Sequence, residues 1–292
     1  MKRRAFWLMV GCVGVGLVLP VARASILIDG FSSAKNDRFA NTTDFIAAGF
    51  DLSGIAVDDD GHWLAMISPN IYLSANHYHS AAGASVTFYA SNDPIGSSVT
   101  RTISSLGQQI GSSDLWIGAI SQPLPAGFAY YDFATQDIGT ATDFTGSPLN
   151  GENAYMFGRS ETETWPTSQD VAVGRNILDL WGSPDRVGAT KDSFGTAHYV
   201  EHEARLDPGD SGGGMFVHDG SGGLTLVGIN WGFSTLTMGG VTTYRSWFTY
   251  VGNYDAEIGA FLDTHPVPEP AGAAAIAALL AGFAVWRRSY RR

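Results

Sequence analysis

Between residues 25 and 266 the chain alternates short apolar runs with turn-forming residues, and long amphipathic helical patterns are missing until its end. "HWLAMISPNIYLSA" offers two apolar stretches around Ser68, Pro69 and Asn70, a pattern that predicts strand, turn, strand. "SVTFYAS" alternates apolar and polar positions, and "DLWIGAI" is a short apolar run of the kind that fills a buried strand. "GMFVHDGSGGLTLVGINWGF" predicts a strand, a glycine-rich hairpin turn and a second strand. Helical spacing enters only in "NYDAEIGAFLDTH", where Ile258, Phe261 and Leu262 fall on one face. Residues 132–170 are rich in Thr, Gly, Ser and Asp and are expected to form loops. No internal repeat is evident. The pattern predicts one all-β unit followed by a short C-terminal helix.

Composition agrees with that picture. The 292 residues include 36 glycines and 12% aromatics with only 15% charged residues, which suits strands joined by many tight turns. The ends differ from the middle. "MKRR", the apolar run after it and "ARA" at positions 22–24 have the order of a secretory signal, so residues 1–24 are expected to be removed. Cys12 lies inside that run, too close to the start for a lipoprotein signal, and it is the only cysteine. Residues 25–266 therefore reach an oxidising compartment with no disulfide to support them.

At the other end, Ala271 to Trp286 are 16 uncharged residues, at the short end for a membrane span. Arginines 287, 288, 291 and 292 follow, and basic residues stay on the cytoplasmic side. The first 24 residues hold four basic residues, and the last 26 hold four basic and one acidic. Residues 25–266 thus carry nine basic against 27 acidic residues, a net of −18. That balance makes nucleic acid an improbable partner and favours solubility.

The chemistry concentrates in "LDPGDSGGGMF", residues 206–216, where four glycines surround Ser211. The stretch satisfies the G-x-S-x-G nucleophile elbow, but that motif needs a helix after the serine and a histidine after the acid. Here a β-hairpin follows, and only His218 and His265 come later. The reverse order is available. His77 ends a predicted strand in "YLSANHYH", Asp114 opens the run "DLWIGAI", and Ser211 comes last. An imidazole to take the serine proton, a carboxylate to fix its tautomer and glycine-freed N–H groups to hold an oxyanion make a nucleophilic site.

Other side chains carry weaker signals. His79 reads as a surface residue and His62 as structural. His198, Glu201 and His202 form H-x-x-E-H, a zinc-like spacing, but in a segment expected to be strand and loop. "VDDDG" at 57–61 resembles a calcium turn without the closing glutamate and is expected to be a hairpin turn. Asp132, Asp137 and Asp143 are rival acids, none of them opening a buried strand. No metal and no cofactor is expected.

Five blocks in order resemble the trypsin/chymotrypsin-fold serine proteases: "LSANHY", "SDLWIGAI", "PGDSGGGMF", "LVGINWGF" and "WFTYVGNYDAEIGAFL". The resemblance implies two six-stranded antiparallel β-barrels over residues 25–265 with a C-terminal helix. It implies His77 as general base and acid, Asp114 as its orienting carboxylate and Ser211 as nucleophile. The N–H groups of Gly209 and Ser211 would form the oxyanion hole. Asn230, Trp231 and Gly232 would pair with an extended polypeptide substrate. Arg205 stands at the floor of the specificity pocket and suggests acidic substrate side chains; Ser246 is the other pocket residue. Asp210 would receive a newly made N-terminus, whereas removal of residues 1–24 leaves Ser25 ahead of Ile26. The family's disulfide positions are empty, and Tyr78 stands where it has a cysteine. The tail, residues 266–292, resembles the PEP-CTERM sorting segment of Gram-negative bacteria: Val267, Pro268, Glu269 and Pro270, a membrane helix at 271–286 and a basic end at 287–292. It implies an exosortase-type processing partner, an inner-membrane anchor and a cell-envelope or extracellular location. Two functions stay open: an exported serine endopeptidase, or an inactive protease-like binding or surface-structural module.

Overall fold

The structure is a computed structural model and describes residues 25–162, 164–192 and 200–266. The expected signal (residues 1–24) and residues 267–292 of the expected sorting tail, including Val267 to Pro270 and the 271–286 segment, lie outside the described residues.

Strand β1 (Leu27–Ile28) and the short helix α1 (Ser33–Asn36) lead into the first barrel. That barrel is built from β2 (Ile55–Val57), β3 (Trp63–Met66), β4 (Ile71–Ala75), β5 (Ser85–Tyr89), β6 (Ser98–Gln109) and β7 (Leu115–Ile120). The order across the sheet is β2-β3-β4-β7-β6-β5, all antiparallel, and a bridge between Asp58 and Val86 brings its two edges together. Helix α2 (Ala141–Gly146) follows. The second barrel uses β8 (Asn153–Gly158), β9 (Ala172–Gly182) and β10 (Arg186–Asp192). The two-residue β11 (Ala204–Arg205) pairs back onto β1. The barrel is completed by β12 (Gly214–His218), β13 (Leu224–Met238) and β14 (Val241–Tyr250), and it closes as β10-β14-β13-β12-β8-β9. Helix α3 (Asp255–Thr264) ends the described chain, with Ile258 and Phe261 buried. Two six-stranded antiparallel barrels and one C-terminal helix are the architecture expected from the sequence.

The strands read as continuous apolar runs because both of their faces are covered. Along β3, Leu64 and Met66 point into the first barrel with Tyr72, Phe88 and Ile103. Trp63 and Ala65 point the other way, into a core shared with Phe157, Phe216 and Ile229 of the second barrel. The side-chain period of two thus splits one run between a barrel interior and the layer between barrels. Met156, Leu178, Met215, Val227 and Phe248 fill the second barrel.

One expectation is corrected. Residues 132–170 are not all loop: "NAYMFG" forms β8, paired with both β9 and β12. Six residues amid Thr, Gly, Ser and Asp gave too short an apolar signal to stand out locally. The turn at 57–61 is a hairpin turn, as expected, between β2 and β3.

Candidate active site

The site lies between the barrels. Strand β4 ends at Ala75 and turns tightly, with the Tyr78 N–H donating to the Ala75 carbonyl at 3.2 Å. The turn projects His77. Asp114 lies immediately before β7, the neighbour of β4 in the sheet, so pairing of these strands places the carboxylate beside the imidazole. The Asn76 N–H donates to the Asp114 carbonyl at 2.8 Å, and the His77 N–H donates to Asp114 Oδ1 at 3.0 Å. His77 Nδ1 is 2.6 Å from Asp114 Oδ2, and His77 Nε2 is 3.0 Å from Ser211 Oγ. An ionised carboxylate only accepts, so Nδ1 carries the proton and Nε2 is left to accept from the serine hydroxyl. The His77 side chain is 44% exposed and that of Asp114 13%: the base is open to a ligand while its partner is sheltered.

Ser211 comes from the second barrel on a loop held from beneath by Asn230. The Asn230 N–H donates to the Gly213 carbonyl at 2.8 Å, and its carbonyl accepts from the Gly212 N–H at 3.0 Å. Its buried side-chain amide donates to the carbonyls of Phe157 (2.7 Å) and Asp210 (2.9 Å). The loop then meets the His77 turn so closely that Gly212 has no room for a side chain. At φ +88° it is in the left-handed region, and a Cβ there would lie 2.9 Å from Ser74 Oγ and 3.2 Å from the Tyr78 carbonyl. Among the described residues no oxygen accepts from the N–H groups of Gly209 or Ser211.

Asp210 is fully buried. Its Oδ1 accepts from the Arg159 N–H at 3.0 Å and its Oδ2 from the Asp207 N–H at 2.9 Å. Burial pushes its carboxyl up to about 8, against the smaller opposing effect of those two hydrogen bonds. Ile26 is buried beside it. A Cβ on Gly158 would lie 2.6 Å from both Asp210 Oδ1 and Ile26 Cβ.

The residues expected to bind substrate take different positions. Both backbone groups and the side chain of Asn230 serve the nucleophile loop, so it is an anchor of that loop. Pairing of β13 with β12 ends at Ile229, and the register shifts between Asn230 and Gly232, leaving Trp231 41% exposed. Arg186 stacks over the Trp231 ring at 4.4 Å. Arg205 stacks over Tyr244 at 3.9 Å, and the buried Ser246 Oγ accepts from the Leu206 N–H at 3.0 Å.

Of the weaker signals, Asp143 lies in the first turn of α2, and its N–H donates to Oγ1 of the N-cap residue Thr140. His198 lies outside the described residues, while Glu201 is exposed and pairs with Lys35. Glu201 and His202 lie in a turn before β11, not on a helix. His79 is not a bare surface residue: its ring stacks on Trp116 at 3.7 Å and 4°. That stack and the contacts of His62 escaped sequence reasoning, because the partners are brought together only by strand register.

No protein-family model matches the chain, and a search of curated proteins returns no match. Among solved structures, the chain is similar to the scabies mite inactivated protease paralogue S-I1. The two are 18% identical with a TM-score of 0.49, over 78% of this chain and 98% of that one.

Proposed function

We propose that this protein is an exported serine endopeptidase. The observation that carries the reading is the continuous hydrogen-bonded line Asp114–His77–Ser211, at 2.6 and 3.0 Å, assembled from two barrels. Ser211 Oγ attacks the substrate carbonyl carbon as its proton passes to His77 Nε2, and the sheltered Asp114 steadies the imidazolium. The tetrahedral oxyanion is held by the Gly209 and Ser211 N–H groups. His77 then protonates the departing amine, and water, deprotonated by the same imidazole, releases the acyl group from Ser211. An extended polypeptide lies along Trp231 and Gly232, and Arg205 together with Ser246 borders the specificity pocket. A chain beginning at Ile26 would bring an α-amine to the buried Asp210, so loss of Ser25 is the activating step. The PEP-CTERM-like tail delivers the enzyme to the envelope through an exosortase-type partner, with residues 271–286 as an inner-membrane anchor.

The test is labelling with a fluorophosphonate, which reacts only with an activated serine, followed by peptide mass spectrometry. Labelling of wild type at Ser211, absent in Ser211→Ala and His77→Ala, is the expected result. Wild type that stays unlabelled when its chain begins at Ile26 would defeat the enzyme reading and leave the binding or surface-structural module. The tail is tested by fractionating cells: a Pro268→Ala/Glu269→Ala/Pro270→Ala variant should accumulate in the inner membrane with its C-terminus intact. Identical fractionation of variant and wild type would reduce the tail to a plain anchor.

A further inference from the structure

His77 sits on a turn that both barrels grip, and residues 25–266 contain no cysteine that could fix it covalently. The grip has three parts. Asp58, fully buried at the end of β2, accepts from the His62 N–H at 2.8 Å, the Asp60 N–H at 3.0 Å and the His62 ring Nδ1 at 3.0 Å. Burial alone would raise the Asp58 carboxyl, but the hydrogen bonds from the His62 side chain and backbone outweigh it and hold it below the usual range. The His62 ring, fixed in this way, packs on the ring of Tyr78 at 4.4 Å and 51°. On the far side of His77, the His79 ring stacks on Trp116, two residues beyond Asp114 on β7.

The same unit reaches the nucleophile loop. The Tyr78 carbonyl faces Gly212, next to Ser211. Arg159 Nη2 donates to the Gly61 carbonyl at 3.2 Å, while the Arg159 N–H donates to Asp210. Gly61, at φ +93°, leaves the space that this guanidinium enters. Asp58 and His62 therefore touch neither reacting atom, yet they brace the one turn from which the imidazole must reach both Asp114 and Ser211.

We infer that Asp58, His62 and Tyr78 form a non-covalent clamp that positions His77 between Asp114 and Ser211. They are positioning residues. The inference rests on the proposed role of His77 as base, but the clamp has a readout that needs no catalysis. A proton held between His77 Nδ1 and Asp114 at 2.6 Å is in a short charge-assisted bond and resonates downfield of the amide envelope.

The experiment uses the protein with its chain beginning at Ile26, carrying His62→Ala, Tyr78→Leu, Asp58→Asn or Tyr78→Phe, each checked for folding by circular dichroism. The low-field proton spectrum and the rate of fluorophosphonate labelling are measured on each. Misplacing an aligned group by about 1 Å costs up to about 100-fold, so His62→Ala and Tyr78→Leu should lower the labelling rate by about tenfold or more. They should also broaden or remove the low-field resonance. Tyr78→Phe keeps the ring and should retain both within about twofold, which a loss of general stability would not produce. Should His62→Ala fail to fold, Tyr78→Leu against Tyr78→Phe carries the comparison. A folded Tyr78→Leu variant with the resonance and rate of wild type would overturn the clamp. If wild type itself does not label, the enzyme reading fails, and the resonance in Tyr78→Leu still decides the clamp: its loss supports it and its persistence refutes it.

Discussion

Replacing Asp210 by Asn tests how the carboxyl next to the nucleophile is held. Asp210 is wholly buried, accepts two backbone N–H groups, and is pushed up to about 8 from 3.8 chiefly by burial. The folded state thus binds its proton up to pH 8, whereas the unfolded chain releases it near pH 4. Between these values the native state holds more protons than the unfolded state, so stability falls as pH rises through the window. The slope approaches 1.4 kcal/mol per pH unit, and from pH 5 to pH 8 the Asp210 contribution declines by about 3–4 kcal/mol. The other 26 acidic residues of 25–266 also titrate, so the measurement is the difference between wild type and Asp210→Asn. The amide keeps the shape and has no charge. Its Nδ2 facing a backbone N–H costs about 1–3 kcal/mol, an offset that does not vary with pH. Urea unfolding of a chain beginning at Ser25, at pH 5, 6, 7 and 8, should show Asp210→Asn gaining on wild type at each step. Parallel curves would refute the reasoning, since they would mean that the carboxylate is already ionised and matched by a cation. A chain beginning at Ile26 should show that matched behaviour: an α-amine in contact favours the charged carboxylate, and the decline disappears.

Ser211→Ala and His77→Ala should each lower amide hydrolysis by about 10³-fold or more, measured with a generic protein substrate, because the triad acts as a unit. Gly212→Ala puts a side chain in the left-handed region 2.9 Å from Ser74 Oγ, and should lower stability by about 1–3 kcal/mol in urea unfolding and slow labelling of Ser211. Asn230→Ala strands the carbonyls of Phe157 and Asp210 in the interior and should cost about 2–3 kcal/mol, read as a fall in Tm. A thiol reductant should leave the Tm of residues 25–266 unchanged, because the segment has no cysteine.

Strands β3, β4, β5, β7, β12 and β13, the C-terminal helix and the order His77, Asp114, Ser211 are legible in the chain, because apolar periodicity and turn residues act over a few neighbouring positions. Strand β8 is not: its six residues lie in a polar segment and become a strand by pairing with β9 and β12, far along the chain. Asn230 reads as part of a substrate-binding edge, yet its amide faces inward to the loop of Ser211, a direction set by the register shift beside it. His62 and Tyr78 are 16 positions apart, and His79 and Trp116 are 37 apart. Neither stack leaves a local signal, because each needs β3, β4 and β7 aligned in one sheet. The sequence by itself determined that the chain is largely extended, where several of its strands lie, and which side chains have the chemistry of a nucleophilic site. Only the closing of two barrels against each other decided that three of those side chains meet within 3.0 Å, that a clamp grips the histidine turn, and that Asp210 is buried. The physical reason is that backbone preference is local, whereas burial and side-chain distance depend on how remote strands pack.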